Sequence, residues 1–146
     1  MSSKPDDRLA AMVRDWNEDR SLSPFENLMW RTEVNPMLRS TGVVLELLGH
    51  APDRERVVAA HDWGSRLLAP LRHRVVEDPL GLAAPRWVVD SDFDLGYHLR
   101  FVRLTDPGSV EQVLGLAQSL AMAPFDRARP LWEAVMVDGL ADGRAA

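Results

Sequence analysis

The chain has 146 residues, 46% hydrophobic and 27% charged, with a formal net charge of −5 and no cysteine. That length supports one domain with a buried core, and the missing thiols exclude disulfides and thiolate chemistry, in keeping with a reducing cytosol. The acidic balance, with Lys4 the single lysine, excludes broad nucleic-acid binding, which needs clustered Lys and Arg.

No apolar run is long enough to span a bilayer, and the opening "MSSKPDDRLAAM" lacks the apolar core of a secretory signal. Residues 6–20 place Leu9, Met12, Val13 and Trp16 at the i, i+3, i+4, i+7 spacing of a helix stripe. The opposite face mixes Arg8, Arg14 and Arg20 with Asp7, Asp15, Glu18 and Asp19. A lipid-bound helix carries a basic polar face, so this one is expected to pack on protein. Residues 1–20 thus read as an amphipathic helical extension, and residues 21–146 as the main lobe.

In that lobe, Ser23 is expected to cap a short helix, with Pro24 at its first position and Glu26 completing a capping box. Phe25, Leu28 and Met29 share a face of it. After Asn35-Pro36, "STGVVLELLG" is a strand candidate. A second helix is expected from about Asp53 to Leu68, with Val57, Val58, His61 and Leu68 near one face. Pro70, Pro79 and Pro85 then break the chain into short elements. "RWVV" and "YHLRFVRL" read as strands, the latter alternating Tyr97, Leu99 and Phe101 with His98, Arg100 and Val102. Ser109 and Gln112 form another capping box, opening a helix through Met122 with Val113, Ala117, Leu120 and Ala121 inward. Pro124 ends it.

The last strand covers Glu133 to Val137, within the apolar "LWEAVMV", and is expected to lie inside a sheet. Asp and Gly residues from Asp138 to Gly143 read as its turn, after which three residues remain. The expectation is the front part of a larger protein whose return strand follows. The order of elements predicts an α/β layered domain, a mixed sheet covered by helices.

Chemistry is sparse. None of the four histidines has a second His at metal-ligand spacing. His61 reads as a boundary residue on a helix, His73 as solvent-facing, and His98 as a partly exposed strand residue. Asp90, Asp92 and Asp94 alternate, but the glycine and terminal glutamate of a calcium loop are missing. No phosphate-binding glycine loop or nucleophile elbow is present. The reading is therefore no metal, no bound cofactor and no catalytic constellation within these residues.

Several segments resemble the N-terminal part of the bacterial wax ester synthase/diacylglycerol acyltransferase family. They are "LSPFENLMWRTE", "NPM", "RHRVVEDPLGLAAPRWVVDSDFDLGYHLR" and "PFDRARPLWEAVMVDGL", in the family's order and spacing. The most specific are the runs from Pro85 to His98 and from Asp126 to Glu133. One departure stands at Leu38, where the family commonly has His after Pro-Met. A peptide-synthetase condensation domain shares the fold and the catalytic motif, but the "DFDLxYH" and "RPLWE" runs together set this chain apart.

The resemblance implies the N-terminal lobe of a chloramphenicol-acetyltransferase-like, CoA-dependent acyltransferase fold. It implies transfer of a fatty acyl group from acyl-CoA, as co-substrate, to diacylglycerol or a long-chain alcohol. The family's catalytic His-His-x-x-x-Asp-Gly falls just past Ala146, so residues 1–146 alone are expected to be inactive. Pro130, Leu131 and Trp132 match the family's Pro-Leu-Trp motif, with Trp132 expected in the packing, as are Trp87 and Tyr97. Arg129 and Asp126 are expected to pair or to hold the loop before the last strand, with direct substrate contact the alternative, so Pro130, Leu131, Trp132 and Arg129 read as substrate-binding or motif-supporting. Implied partners are the C-terminal lobe, the surface of a membrane or lipid droplet, and a second copy in a homodimer. The implied location is cytoplasmic or peripheral to such a surface. The alternative is a non-catalytic binding or scaffold module of the same fold.

Overall fold

The computed structural model describes residues 19–146. The helical stripe expected over residues 6–20 lies outside the described residues except at its end. There Arg20 is in a strand, not a helix.

That strand, β1 (Arg20–Ser21), pairs antiparallel with β3 (Arg86–Val89), which pairs antiparallel with β2 (His73–Val76). Helix α1 (Pro24–Thr32) starts where the sequence places it. Ser23 Oγ accepts the Glu26 N–H at 3.3 Å, and Glu26 Oε2 accepts the Ser23 N–H at 2.8 Å. Its inward residue is Trp30, 5% exposed, while Phe25 and Leu28 face solvent. Trp30 joins Leu22 and Val75 in a core that Trp87 and Leu131 complete.

Helix α2 (Arg54–Leu67) is capped by Asp53, whose Oδ1 accepts the Arg56 N–H at 3.1 Å. Val57 is buried and His61 half-buried, but Val58 and Leu68 are exposed. A 3-10 turn (Ala69–Arg72) leads into β2.

The expected strand over residues 40–49 is not one. Among the described residues its ladder pairing is a single bridge, Leu48 to Ala145. Val and Leu suit a pleated surface, but a strand exists only where a neighbour supplies the ladder.

The strand expected from Tyr97 starts two residues later. Asp94 Oδ1 accepts the Gly96 N–H at 2.9 Å and opens one helical turn, α3 (Leu95–His98). Strand β4 (Leu99–Arg103) follows. Helix α4 (Val110–Met122) opens on the Ser109–Gln112 capping box and buries Val113 to 1% exposure. It is the crossover that lets β4 pair parallel with β5 (Ala134–Asp138), because parallel neighbours cannot be joined by a tight turn. Val113, Val137 and Leu140 form a second core, with Leu104, Val110, Leu116, Val135 and Ala146 against it. The architecture is α/β, as expected; among the described residues the strands fall into two small sheets, β1-β3-β2 and β4-β5.

β5 lies half inside a sheet. One edge carries β4; on the other, Val137 and Ala146 exchange both backbone hydrogen bonds, at 2.7 and 2.9 Å. Ala145 likewise exchanges both bonds with Leu48, at 2.8 and 3.1 Å. The turn between carries Gly139 and Gly143, at φ +85° and +78°, and packs on the loop before α4, where Gly108 has φ +65° and a Cβ would lie 2.3 Å from the Gly139 carbonyl oxygen.

Candidate functional site

Pro130, Leu131 and Trp132 join the two cores. Pro130 is fully buried, Leu131 packs on the Leu22–Trp30–Val75 core, and β5 runs from there into the second core. The three-residue motif thus leads from the first core, where Leu131 packs, to the strand that enters the second.

Trp132 is half-buried and fastened at both ends. Its indole Nε1 donates to the Leu71 carbonyl at 2.8 Å. Its ring stacks on His98, with centroids 4.6 Å apart and planes 13° from parallel. Phe93 stacks on His98 at 5.2 Å and on Trp132 at 6.4 Å, with Tyr97 edge-on to His98 at 5.1 Å. This agrees with the packing expected for Trp132.

His98 corrects its sequence reading. It is 0% exposed rather than partly exposed, because the helical turn rotates it into the protein. Its Nδ1 lies 2.7 Å from the Trp132 carbonyl oxygen, which can only accept, so Nδ1 carries the proton. Nε2 is buried and has no partner among the described residues. His73, read as solvent-facing, is also buried, at 3% exposure, with Nδ1 2.6 Å from the Ala69 carbonyl oxygen. A polar "RHR" context concealed this, because β2 pairs with β3 and turns His73 inward.

Arg129 and Asp126 form no side-chain ion pair; the Arg129 N–H donates to the Asp126 carbonyl at 3.1 Å. Arg129 donates to the Asp92 carbonyl at 2.8 Å and lies over the Tyr97 ring at 5.4 Å. Asp126 accepts from the Tyr97 hydroxyl at 3.5 Å and from the Ala128 N–H at 2.9 Å. Each holds the loop before β5, as the second expectation had it. Tyr97 is a surface residue, 38% exposed, rather than core. What burial it has pushes its phenol up, helped by the carboxylates of Asp126 and Glu133. The acidic run resolves into local caps: Asp90 Oδ1 accepts the Asp92 N–H, and Asp94 starts α3. Among the described residues no group of three His, Asp or Glu could hold a metal ion.

Trp87 is half-buried as expected, and its Nε1 donates to Glu26 at 3.1 Å. Glu26 also holds Arg20 through two hydrogen bonds, at 2.6 and 2.8 Å. The Arg20 guanidinium, followed by the Ser23 and Trp87 donors, brings the Glu26 carboxyl down to about 2, although partial burial pushes it up. This cluster ties β1, α1 and β3 together and leaves no free base.

Beside β5 runs an apolar groove of about 360 Å³, between residues 41–48 and helix α4. Val44, Leu116, Leu120, Phe125 and Val135 line it. Backbone direction alternates along a strand, so Val135 presents its N–H and C=O to the same side as Val137. No helix among the described residues is long and apolar enough to cross a membrane.

Comparison with known proteins adds the family. Residues 22–146 match the profile of the wax ester synthase/diacylglycerol acyltransferase catalytic domain. The Mycobacterium tuberculosis H37Rv protein Rv2484c, provisionally named a diacylglycerol O-acyltransferase, is 47% identical over 125 residues, covering 86% of this chain and 26% of its own. The tgs3 protein of the same organism, also provisionally named so, is 49% identical over 75 residues, 51% of this chain and 28% of its own. The solved wax ester synthase/diacylglycerol acyltransferase from Marinobacter aquaeolei VT8 superposes with a TM-score of 0.53 at 28% identity, covering 68% of this chain and 26% of that one. The tallysomycin biosynthesis protein TlmII gives the same TM-score at 22% identity, over 68% of this chain and 24% of that one, a likeness of fold. The chain therefore spans about a quarter of the length of these relatives. With this match over residues 22–146, it belongs to the wax ester synthase/diacylglycerol acyltransferase family.

Proposed function

We propose that the protein carrying this lobe transfers a fatty acyl group from acyl-CoA to diacylglycerol or a long-chain alcohol, and that residues 21–146 are the N-terminal part of its acyltransferase domain. The observation that carries the reading is the family match across the Pro-Leu-Trp motif and β5. The pairing of Ala146 with Val137 and of Ala145 with Leu48 supports a strand that returns along β5 through the apolar groove.

On that strand's far end the family's His-His-x-x-x-Asp-Gly motif is expected. The second His takes the proton from the acceptor hydroxyl. The alkoxide attacks the thioester carbonyl, the carbon–sulfur bond breaks, and the departing CoA thiolate takes the proton back. A neutral imidazole suits both steps near pH 7. Of the two roles open to Pro130, Leu131, Trp132 and Arg129, substrate binding and motif support, their contacts within the lobe favour support of the strand. A lipid surface in the cytoplasm, where such substrates partition, and a homodimer belong to the same proposal.

The test is product analysis. The full-length protein, given palmitoyl-CoA with diolein or hexadecanol, should yield triacylglycerol or wax ester together with free CoA. Hydrolysis of the thioester without an ester product would contradict transfer to an alcohol.

A further inference from the structure

The structure assigns a role to His98: we propose that it is a positioning residue for acyl transfer, acting through the Trp132 carbonyl on the start of β5. The proposal rests on the acyltransferase reading above.

His98 ends α3 and immediately precedes Leu99, which pairs with Ala134. Its Nδ1–H reaches the carbonyl of Trp132, two residues before Ala134, at 2.7 Å. The two rings stack at 4.6 Å on the same link. Stacking alone lets one ring slide over the other, whereas a hydrogen bond fixes the direction of the carbonyl. That direction decides which side chains of β5 face inward, because a slip of one residue turns Val135 and Val137 outward. A misplacement at this distance is felt in turnover, since reacting groups tolerate little displacement.

The ring is also committed to one tautomer. The Trp132 carbonyl takes the Nδ1 proton, and the buried Nε2 is left with its lone pair.

Two variants of the full-length protein separate hydrogen bond from ring. His98→Phe keeps the stack and removes the donor; His98→Asn loses the ring and returns an N–H near the Nδ1 position. We expect His98→Phe to lower kcat by about tenfold or more with KM for palmitoyl-CoA within about twofold, and His98→Asn to recover most of the loss. Deuterium exchange at residues 134–137 should accelerate in His98→Phe. A folded His98→Phe protein with wild-type kcat overturns the proposal, as does a His98→Asn variant no better than His98→Phe. If His98→Phe does not fold, nitrogen-15 spectra of the wild-type histidines decide: a neutral ring protonated at Nδ1 upholds the hydrogen bond, and one protonated at Nε2 overturns it. A wild-type protein without turnover but with the Nδ1-protonated ring would instead contradict the acyltransfer reading. In that case slower exchange in wild type than in His98→Phe would keep the positioning of β5.

Discussion

Trp132 donates its indole N–H to the carbonyl of Leu71, 2.8 Å away and 61 positions earlier in the chain. The bond ties the start of β5 to the 3-10 turn before β2, across the boundary between the two sheets. Replacing Trp132 with Ala in the full-length protein removes this bond and the stack on His98, at a cost of about 3 kcal/mol. Loss of turnover should track loss of thermal stability. A Trp132→Ala protein that melts like wild type yet loses most of its activity would place the side chain at the substrate instead.

The Glu26 carboxyl, held at about 2 by Arg20, gives stability a pH signature. Its folded-state value lies below the ordinary 4.5, so its contribution is complete above that pH and disappears as pH falls toward 2. At neutral pH Glu26→Gln should cost about 1 kcal/mol, after allowance for solvent screening. Denaturant unfolding of both proteins should show the gap narrowing below about pH 4.5. A gap that stays constant to pH 2 would remove the ion pair as its cause.

Gly108 and Gly143 both have positive φ, +65° and +78°, but only Gly108 is crowded. A Cβ at Gly108 would meet the Gly139 oxygen at 2.3 Å and the Ala141 nitrogen at 2.9 Å, whereas at Gly143 it meets nothing within 4 Å. Gly108→Ala should therefore cost about 3 kcal/mol and Gly143→Ala about 1 kcal/mol. Equal shifts in the unfolding midpoint would show that the turn yields freely.

Isolated residues 1–146 should associate in solution. The groove beside β5 leaves backbone groups of Val135 facing an apolar channel, and Met37, Val43 and Val44 are exposed nearby in the chain. Light scattering after gel filtration should report species above 16.4 kDa. A monodisperse monomer with a sharp thermal transition would contradict this.

Local signals in the sequence translated well. Ser23–Glu26, Asp53 and Ser109–Gln112 start their helices within a residue of expectation, since a cap is made by residues three apart. "RWVV" is β3 for a similar reason: its apolar content suits a strand with neighbours on both edges. What failed depended on distant partners. Residues 40–49 have strand composition, but composition supplies no ladder. Strand alternation through Tyr97 puts His98 at the surface, whereas the Asp94–Gly96 cap turns the chain into a helical step that buries it. That Asp-x-Gly pattern was the available signal. The stack of Phe93, His98 and Trp132 had none, because its members are brought together by the parallel pairing of β4 with β5. The Pro-Leu-Trp motif was legible by resemblance, and its role as a link between two cores was not.

Free CoA release measured side by side, for residues 1–146 and for the full-length protein, tests the central claim most directly. Each would be incubated with palmitoyl-CoA and diolein. The account predicts turnover by the full-length protein and none by the 146-residue chain, whose sequence contains no His-His-x-x-x-Asp-Gly motif. Turnover by the pure 146-residue chain, or its absence from a folded full-length protein, would contradict it.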